Sequence, residues 1–319
     1  MKKRLLAGIS TAVILSSGII SSATAQAAVS HSASSSQSYK EAVKQGSLLS
    51  GKTAAYINTI KGGDISKISS SYTGLTLQVK NTEKAAGKVA GSSNRAALLN
   101  KYVKPAKIQV ERTIYEVSEY RLLSSMKTNI SDDNYQIDDD MNKLQRLKKR
   151  AVQIKQAGGY QALPDSVNRS LHYREADTEG SFLKTIVDSY TYLADEEGDI
   201  YTMDYIYDYF NFHKEQADLK IGQVSGASNR SALIKKYINP AKIAYERTKY
   251  EISRLRLIYK ISDLADQKKI DEAKKEAEKL QRLKDRAAAI KKAGGYKDLN
   301  PQVYEYLQED EKLALELLN

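Results

Sequence analysis

The stretch from Asn94 to Leu122, NRAALLNKYVKPAKIQVERTIYEVSEYRL, returns from Asn229 to Leu257 as NRSALIKKYINPAKIAYERTKYEISRLRL. About 18 of these 29 positions are identical without a gap, well beyond what shared composition produces, so one unit of sequence is used twice. The likeness extends outward in both directions. Upstream, Lys40-Glu41-Ala42 with Gly46-Ser47 returns as Arg174-Glu175-Ala176 with Gly180-Ser181, and Gly63-Asp64-Ile65 returns as Gly198-Asp199-Ile200. Downstream, Leu144-Gln145-Arg146-Leu147-Lys148 returns as Leu280-Gln281-Arg282-Leu283-Lys284, and Gly158-Gly159-Tyr160 as Gly294-Gly295-Tyr296. The offset drifts only from 134 to 136 residues, the trace of about two single-residue insertions.

Each unit reads as all-α, because alternating runs bounded by turn pairs are missing while apolar residues recur at spacings of three and four. Asp64 and Asp199 follow a glycine and precede long periodic runs, where a carboxylate accepts from the free amides of a first helical turn and faces its positive end. Ser93 and Ser228 are expected to start the next element in the same way. Pro105 and Pro240, about a dozen residues later, lack the N–H a continuous helix needs and predict a bend or restart. The last helix of each unit carries a heptad-like stripe, Leu144, Leu147, Ala151 and Ile154, repeated as Leu280, Leu283, Ala287 and Ile290. Its Gly-Gly ending supplies the positive φ that terminates a helix. Helices with such one-sided stripes are not stable singly, so two stacked three- or four-helix bundles are predicted, with Val303 to Leu318 as a closing amphipathic helix resembling the truncated start of a further unit.

The amino terminus is of another kind. Lys2, Lys3 and Arg4 precede an apolar run from Leu5 to Ile20 and small residues through Ala27. That order predicts a signal peptide cleaved after Ala27, because the run is shorter than the ~20 residues of a spanning helix. The expected organisation is therefore a signal peptide at 1–27, a flexible Ser-rich leader at 28–38, bundle repeats at 39–165 and 166–302, and the terminal helix at 303–319. No second apolar run suggests a membrane span in the mature chain. With 41% hydrophobic and 28% charged residues the chain can bury a core, and with no Cys it is neither disulfide-stapled nor lipidated on a cysteine. The formal charge of +11, about +8 without Lys2, Lys3 and Arg4, favours an anionic polymer as partner by long-range attraction. Nucleic acid fits that charge, but no recognition motif is present and the chain is read as exported.

The block Asn100 to Ile108 (Asn-Lys-Tyr-Val-Lys-Pro-Ala-Lys-Ile), followed by Glu111-Arg112-Thr113-Ile114-Tyr115-Glu116-Val117-Ser118, resembles the helical amino-terminal region of bacillar surface-layer proteins of the SbsC type. So does Leu147-Lys148-Lys149-Arg150-Ala151 running into Gly158-Gly159-Tyr160. The resemblance spans nearly all of the mature chain. It implies helical bundles, rich in tyrosine and basic residues, that attach to an anionic secondary cell-wall polymer. The large β-rich assembly region that follows in surface-layer proteins has no counterpart in this sequence.

Lys107, Glu111, Arg112, Tyr115, Glu116 and Arg121 recur as Lys242, Glu246, Arg247, Tyr250, Glu251 and Arg256. They are either a saccharide-binding face or a lattice of i,i+4 ion pairs, Lys107 with Glu111 and Arg112 with Glu116, each worth only ~0.2–0.5 kcal/mol. Tyrosine is the stronger hint. The chain holds 22 Tyr against three Phe and no Trp, and a tyrosine ring stacks on a sugar while its hydroxyl stays wet. Tyr201, Tyr205 and Tyr209 lie four apart and share a helix face, whereas Tyr207 points elsewhere. Tyr72 with Tyr207 and Tyr102 with Tyr237, aromatic in both units, are assigned to architecture. The candidate glycan-binding residues are therefore Arg112, Tyr115, Arg121, Arg247, Tyr250, Arg256, Tyr201, Tyr205 and Tyr209.

No catalytic residue and no cofactor is expected. His31, His172 and His213 are dispersed, without a Ser or Asp partner at a recognisable spacing. No zinc pattern occurs, and Asp132, Asp133, Asp138, Asp139 and Asp140 lack the alternation of a calcium loop, reading instead as helix-start charge. The expectation is a secreted, wall-associated, non-enzymatic protein that binds an anionic cell-wall polysaccharide. A protein-binding or adhesin module is the alternative, and a wall-active hydrolase, which needs two converging acids, is the third reading.

Overall fold

The computed structural model describes residues 25–132 and 135–318, and the expected signal peptide lies outside them except for its last three residues. The described residues contain helices and no strand, so the chain is all-α. Helix α1 spans Ala25–Gly62 and α2 Ile65–Gly87. A short helix α3, Ser92–Leu98, leads through a π-turn at Leu99–Val103 into α4, Lys104–Asn129, and α5 follows at Ile137–Gly158. The second half follows the same order: α6 (Asp165–Tyr192, with a π-turn at Leu193–Glu197), α7 (Ile200–Gly222), α8 (Ala227–Leu233), a π-turn at Ile234–Ile238, α9 (Asn239–Asp266), the pair α10 (Ile270–Ala277) and α11 (Lys279–Gly294), and α12 (Pro301–Glu316). None of these is long and apolar enough to cross a membrane.

Packing groups the helices into neighbouring sets that share their long members. Helix α4 packs on α1 and α2 and again on α5 and α6, while α9 packs on α6 and α7 and again on α10, α11 and α12. The core is built alike in both halves. Tyr56 is buried with its hydroxyl 2.7 Å from Thr113 Oγ1, and Tyr190 is buried with its hydroxyl donating to Thr248 Oγ1 at 2.9 Å. Each ring contributes apolar area while its polar tip stays satisfied. Gly46 and Gly180 let α1 and α6 approach Tyr102 and Tyr237, since a Cβ at either glycine would lie about 2.4 or 2.3 Å from the ring. The architectural reading of Tyr102, Tyr237 and the buried Tyr207 therefore stands.

Asp64 and Asp199 cap α2 and α7, each accepting from two backbone amides. Gly159 and Gly295 end α5 and α11 in the left-handed region. Ser93 and Ser228 are not caps: Gly91 and Gly226, at φ 84° and 89°, hold that position, and the serines sit inside the first turn. A positive φ is needed there to swing the chain out of the preceding turn, and glycine adopts it without a Cβ clash. The break expected at Pro105 and Pro240 takes the form of a π-turn just before each proline, which absorbs the missing N–H as α4 and α9 begin. Segment 28–38, expected to be a flexible leader, runs as the first part of α1, with no Gly or Pro to stop it.

Helix α12 docks as α6 does. Ser166 Oγ, at the start of α6, donates to Gly63 O in the α1–α2 turn, and Asn300, at the start of α12, reaches Ala194 O and Glu196 O before α7.

Candidate functional site

The four arginines singled out in the sequence are spent within the fold. Arg112 donates to the carbonyls of Gln161 and Ala162, at 2.8 and 2.7 Å, and Arg247 donates to those of Lys297 and Asp298 and pairs with Asp195. Both thus clamp the connector that leads into the next long helix, and neither pairs with the glutamate four residues on. Arg121 lies over the Tyr72 ring and bonds Ser69 and Thr73, while Arg256 lies over Tyr207 and pairs with Asp204 and Asp208. Tyr115 is half-buried. Tyr250 lines a cavity of about 420 Å³ between α9, α11 and α12, whose Arg254, Lys284 and Lys291 already face Glu311 and Glu251.

The i,i+4 pairs expected along α4 are replaced by contacts between helices, although Glu246 of α9 does pair along its own helix, with Lys249. Lys107 pairs with Glu83, Glu111 accepts from Tyr160, and Glu116 accepts from Lys155. Packing decides this, because a carboxylate that becomes buried between helices needs the cation delivered by its neighbour. Where α4 meets α6, three buried carboxylates gather: Glu116, Glu119 and Glu175. Lys155 serves Glu116, and Lys148 and Lys220 serve Glu175. Glu119 has no salt bridge among the described residues, and burial, with the nearby Glu116, pushes its carboxyl up to about 8. The matching place where α9 meets α12 holds Glu251, Arg254 and Glu311, so the position of Glu119 is filled by a cation that pairs with Glu311.

The tyrosines of α7 behave differently. Tyr205 is 87% exposed, and Tyr201, Tyr209 and Phe212 are also open to solvent along the same side of the helix, with Leu219 two turns further on. The corresponding places on α2 are Ser66, Ser70, Gly74, Leu77 and Lys84. Tyr201 is held by Tyr306, 5.3 Å away, and donates to Asp310. Beside this face a cavity of about 430 Å³ opens between α5, α6 and α7. Its wall is Tyr209 and Phe212, its amides are Asn142, Gln145 and Gln216, and its floor is His213 with Glu179. Lys149 follows Gln145 by one turn on α5, exposed and without an ion pair among the described residues, as are Arg146 and Arg150.

His213 is 1% exposed, enclosed by the rings of Phe182, Tyr209 and Phe212 at 4.5 to 5.1 Å. Its Nδ1 lies 2.8 Å from Glu179 Oε1, on an equally buried side chain. Its Nε2 has no hydrogen-bond partner among the described residues, and Asp138 Oδ1 stands 3.9 Å from it. His213, read as having no Ser or Asp partner at a recognisable spacing, meets Glu179, 34 residues upstream, beyond any fixed-spacing motif. The repeat itself carried the signal, since Gln45 and Gln78 of the first unit become Glu179 and His213 in the second. Gln78 Nε2 donates to Gln45 Oε1 at 2.8 Å, so a neutral amide pair occupies the same place there. The three carboxylates at the start of α5, Asp138, Asp139 and Asp140, lie in its first turn, as read. Among the described residues no group of three or more potential ligands is arranged for a metal ion.

Residues 22–107 match a family model described as the SbsC C-terminal domain. The SbsC-type resemblance read from the repeated block agrees with it, although that reading named the amino-terminal region. An S-layer-type domain of this kind points to a protein of the cell surface. No curated protein and no solved structure matches the chain.

Proposed function

We propose that this cell-surface protein binds an anionic cell-wall polysaccharide along the outer face of α7 and does no chemistry on it. The observation that carries this reading is the run of solvent-facing rings Tyr201, Tyr205, Tyr209 and Phe212 on one side of one helix, Tyr205 being almost fully exposed. Packing does not explain an open aromatic row, whereas a sugar's C–H face covers such rings and leaves the phenol hydroxyls in water. The charge of the polymer is met by long-range attraction to the basic chain and by Arg146, Lys149 and Arg150 on neighbouring α5. Arg112, Arg121, Arg247 and Arg256 support architecture in this reading, and Tyr115 and Tyr250 stand apart from the α7 face.

Co-sedimentation with purified bacterial walls tests the proposal. The wild-type chain should pellet with walls, less so as salt rises from physiological strength to 1 M, where screening shortens from about 8 to about 3 Å. Removing the non-peptidoglycan polymer should abolish pelleting. The Tyr205→Ala, Phe212→Ala double variant should lose at least tenfold in affinity with an unchanged melting curve. Full retention by that variant overturns the reading, and retention on stripped walls transfers the face to a protein partner, as in an adhesin.

A further inference from the structure

From the cavity between α5, α6 and α7 we infer that it is a reading site for one uncharged, hydroxyl-bearing sugar ring, with His213 Nε2 and Asp138 as the paired groups that recognise a hydroxyl. The inference rests on the glycan-binding reading and adds to it which kind of ring enters the cavity.

Geometry supplies the first argument. His213 lines the cavity and its buried Nε2 is unsatisfied among the described residues, and an unpaired buried polar atom is a standing cost unless something from outside fills it. At 3.9 Å, Asp138 Oδ1 is too far to fill that need directly. An oxygen placed between the two at ordinary hydrogen-bond distance from each spans such a gap. A hydroxyl suits this place whichever way the His213–Glu179 pair holds its proton. It donates to Asp138 and accepts from Nε2–H, or it donates to a bare Nε2 while Asp138 takes a second hydroxyl of the same ring. The wall of Tyr209 and Phe212 offers a stacking face, and Asn142, Gln145 and Gln216 offer both donors and acceptors around the rim.

Charge supplies the second argument. Asp138 and Glu179 both reach the site, and the Tyr209 phenol is pushed up to about 12 by burial and then by these two carboxylates. Lys220, the cation on the lining, is bonded to Glu175. A carboxylate-bearing sugar would enter against like charge, so the acidic groups of the polymer are left to the cations outside the cavity.

The third argument is that the first unit packs its corresponding helices without an ionisable pair. The first unit packs the same helices around Gln45 and Gln78, joined by an amide–amide hydrogen bond. The ionisable pair of the second unit therefore calls for another purpose.

The test uses the mature full-length chain and two defined probes, glucose and glucuronic acid, which differ by a carboxylate at one carbon. Imidazole NMR signals, with the His213 peak identified by its loss in the variant, should shift saturably with glucose, and glucuronic acid should bind at least tenfold more weakly. The His213→Gln, Glu179→Gln variant, which copies the first unit's pair, should keep its melting transition and lose saturable glucose binding. Asp138→Asn, at a half-exposed position, should weaken glucose severalfold and narrow the gap to glucuronic acid. Glucuronic acid binding as tightly as glucose, or unaltered glucose binding by the Gln-Gln variant, overturns the inference. Walls retained by a chain that binds neither probe would overturn it while leaving the glycan reading in place. Loss of wall binding by the wild-type chain would remove that reading itself.

Discussion

Replacing Glu119 by Gln tests the electrostatics of the α4–α6 junction. Glu119 is buried beside Glu116 and Glu175, whose lysines leave it without a salt bridge of its own. Its carboxyl rises from the usual 4.5 to about 8, and at about 1.4 kcal/mol per pH unit this bounds the cost of ionising it in the fold near 5 kcal/mol. Relaxation of Lys148 and Lys155 toward the new charge reduces the expected figure to about 2 kcal/mol. The sign follows from proton counting. Below pH 4.5 the group is protonated in both states and contributes no pH dependence. Between about 4.5 and 8 the unfolded chain releases the proton while the folded chain keeps it, so stability falls as pH rises. Above 8 both states are ionised and the whole cost is present. Glu119→Gln should therefore match wild type near pH 4, gain as pH rises above 4.5 and level off at about 2 kcal/mol by pH 8.5, read from urea denaturation at half-unit pH steps. A difference between variant and wild type that stays constant from pH 4 to 8.5 would refute the reasoning.

Other changes probe the packing. Arg247→Ala leaves Asp195 with only the longer 3.8 Å contact of Lys297 and two connector carbonyls without their donor and should cost about 2–4 kcal/mol. Arg112→Ala, more open to water, should cost about 1 kcal/mol. Chemical denaturation measures both, and wall attachment should be unchanged in each. Gly180→Ala drives a methyl into the Tyr237 ring and should lower stability by about 1–3 kcal/mol, whereas Gly51→Ala, with open space around it, should be neutral or slightly stabilising in the same melting assay.

The helical class could be read from the sequence because periodicity, caps and Gly-Gly ends act locally: Asp64, Asp199, Gly159 and Gly295 each act through their own turn. Partners across helices could not be read this way. Spacing offers Glu116 to Arg112, four residues earlier, as one of two readings, yet it meets Lys155 from α5, because burial between helices outweighs a solvent-exposed pair along one helix. Ser93 and Ser228 have a capping side chain, but the glycines before them supply the positive φ that the turn requires. Of the candidate site, the common face of Tyr201, Tyr205 and Tyr209 was legible from spacing alone. That Tyr205 is exposed depends on what packs where, and spacing carries no information on that. His213 was set aside as solitary because Glu179 and Asp138 converge on it only through the packing of α5 and α6 on α7.

Because α4 and α9 each serve two neighbouring groups of helices, and α12 sits on the second unit as α6 sits on the first, the arrangement follows a fence-post rule. Each panel stands between two posts, and the post that ends one panel begins the next. Such a chain lengthens by insertion at an interior post, where both faces of the added segment meet surfaces of a kind the protein already makes. The number of unmatched ends stays at two whatever the length, so reach across a surface can be extended panel by panel without a new interface.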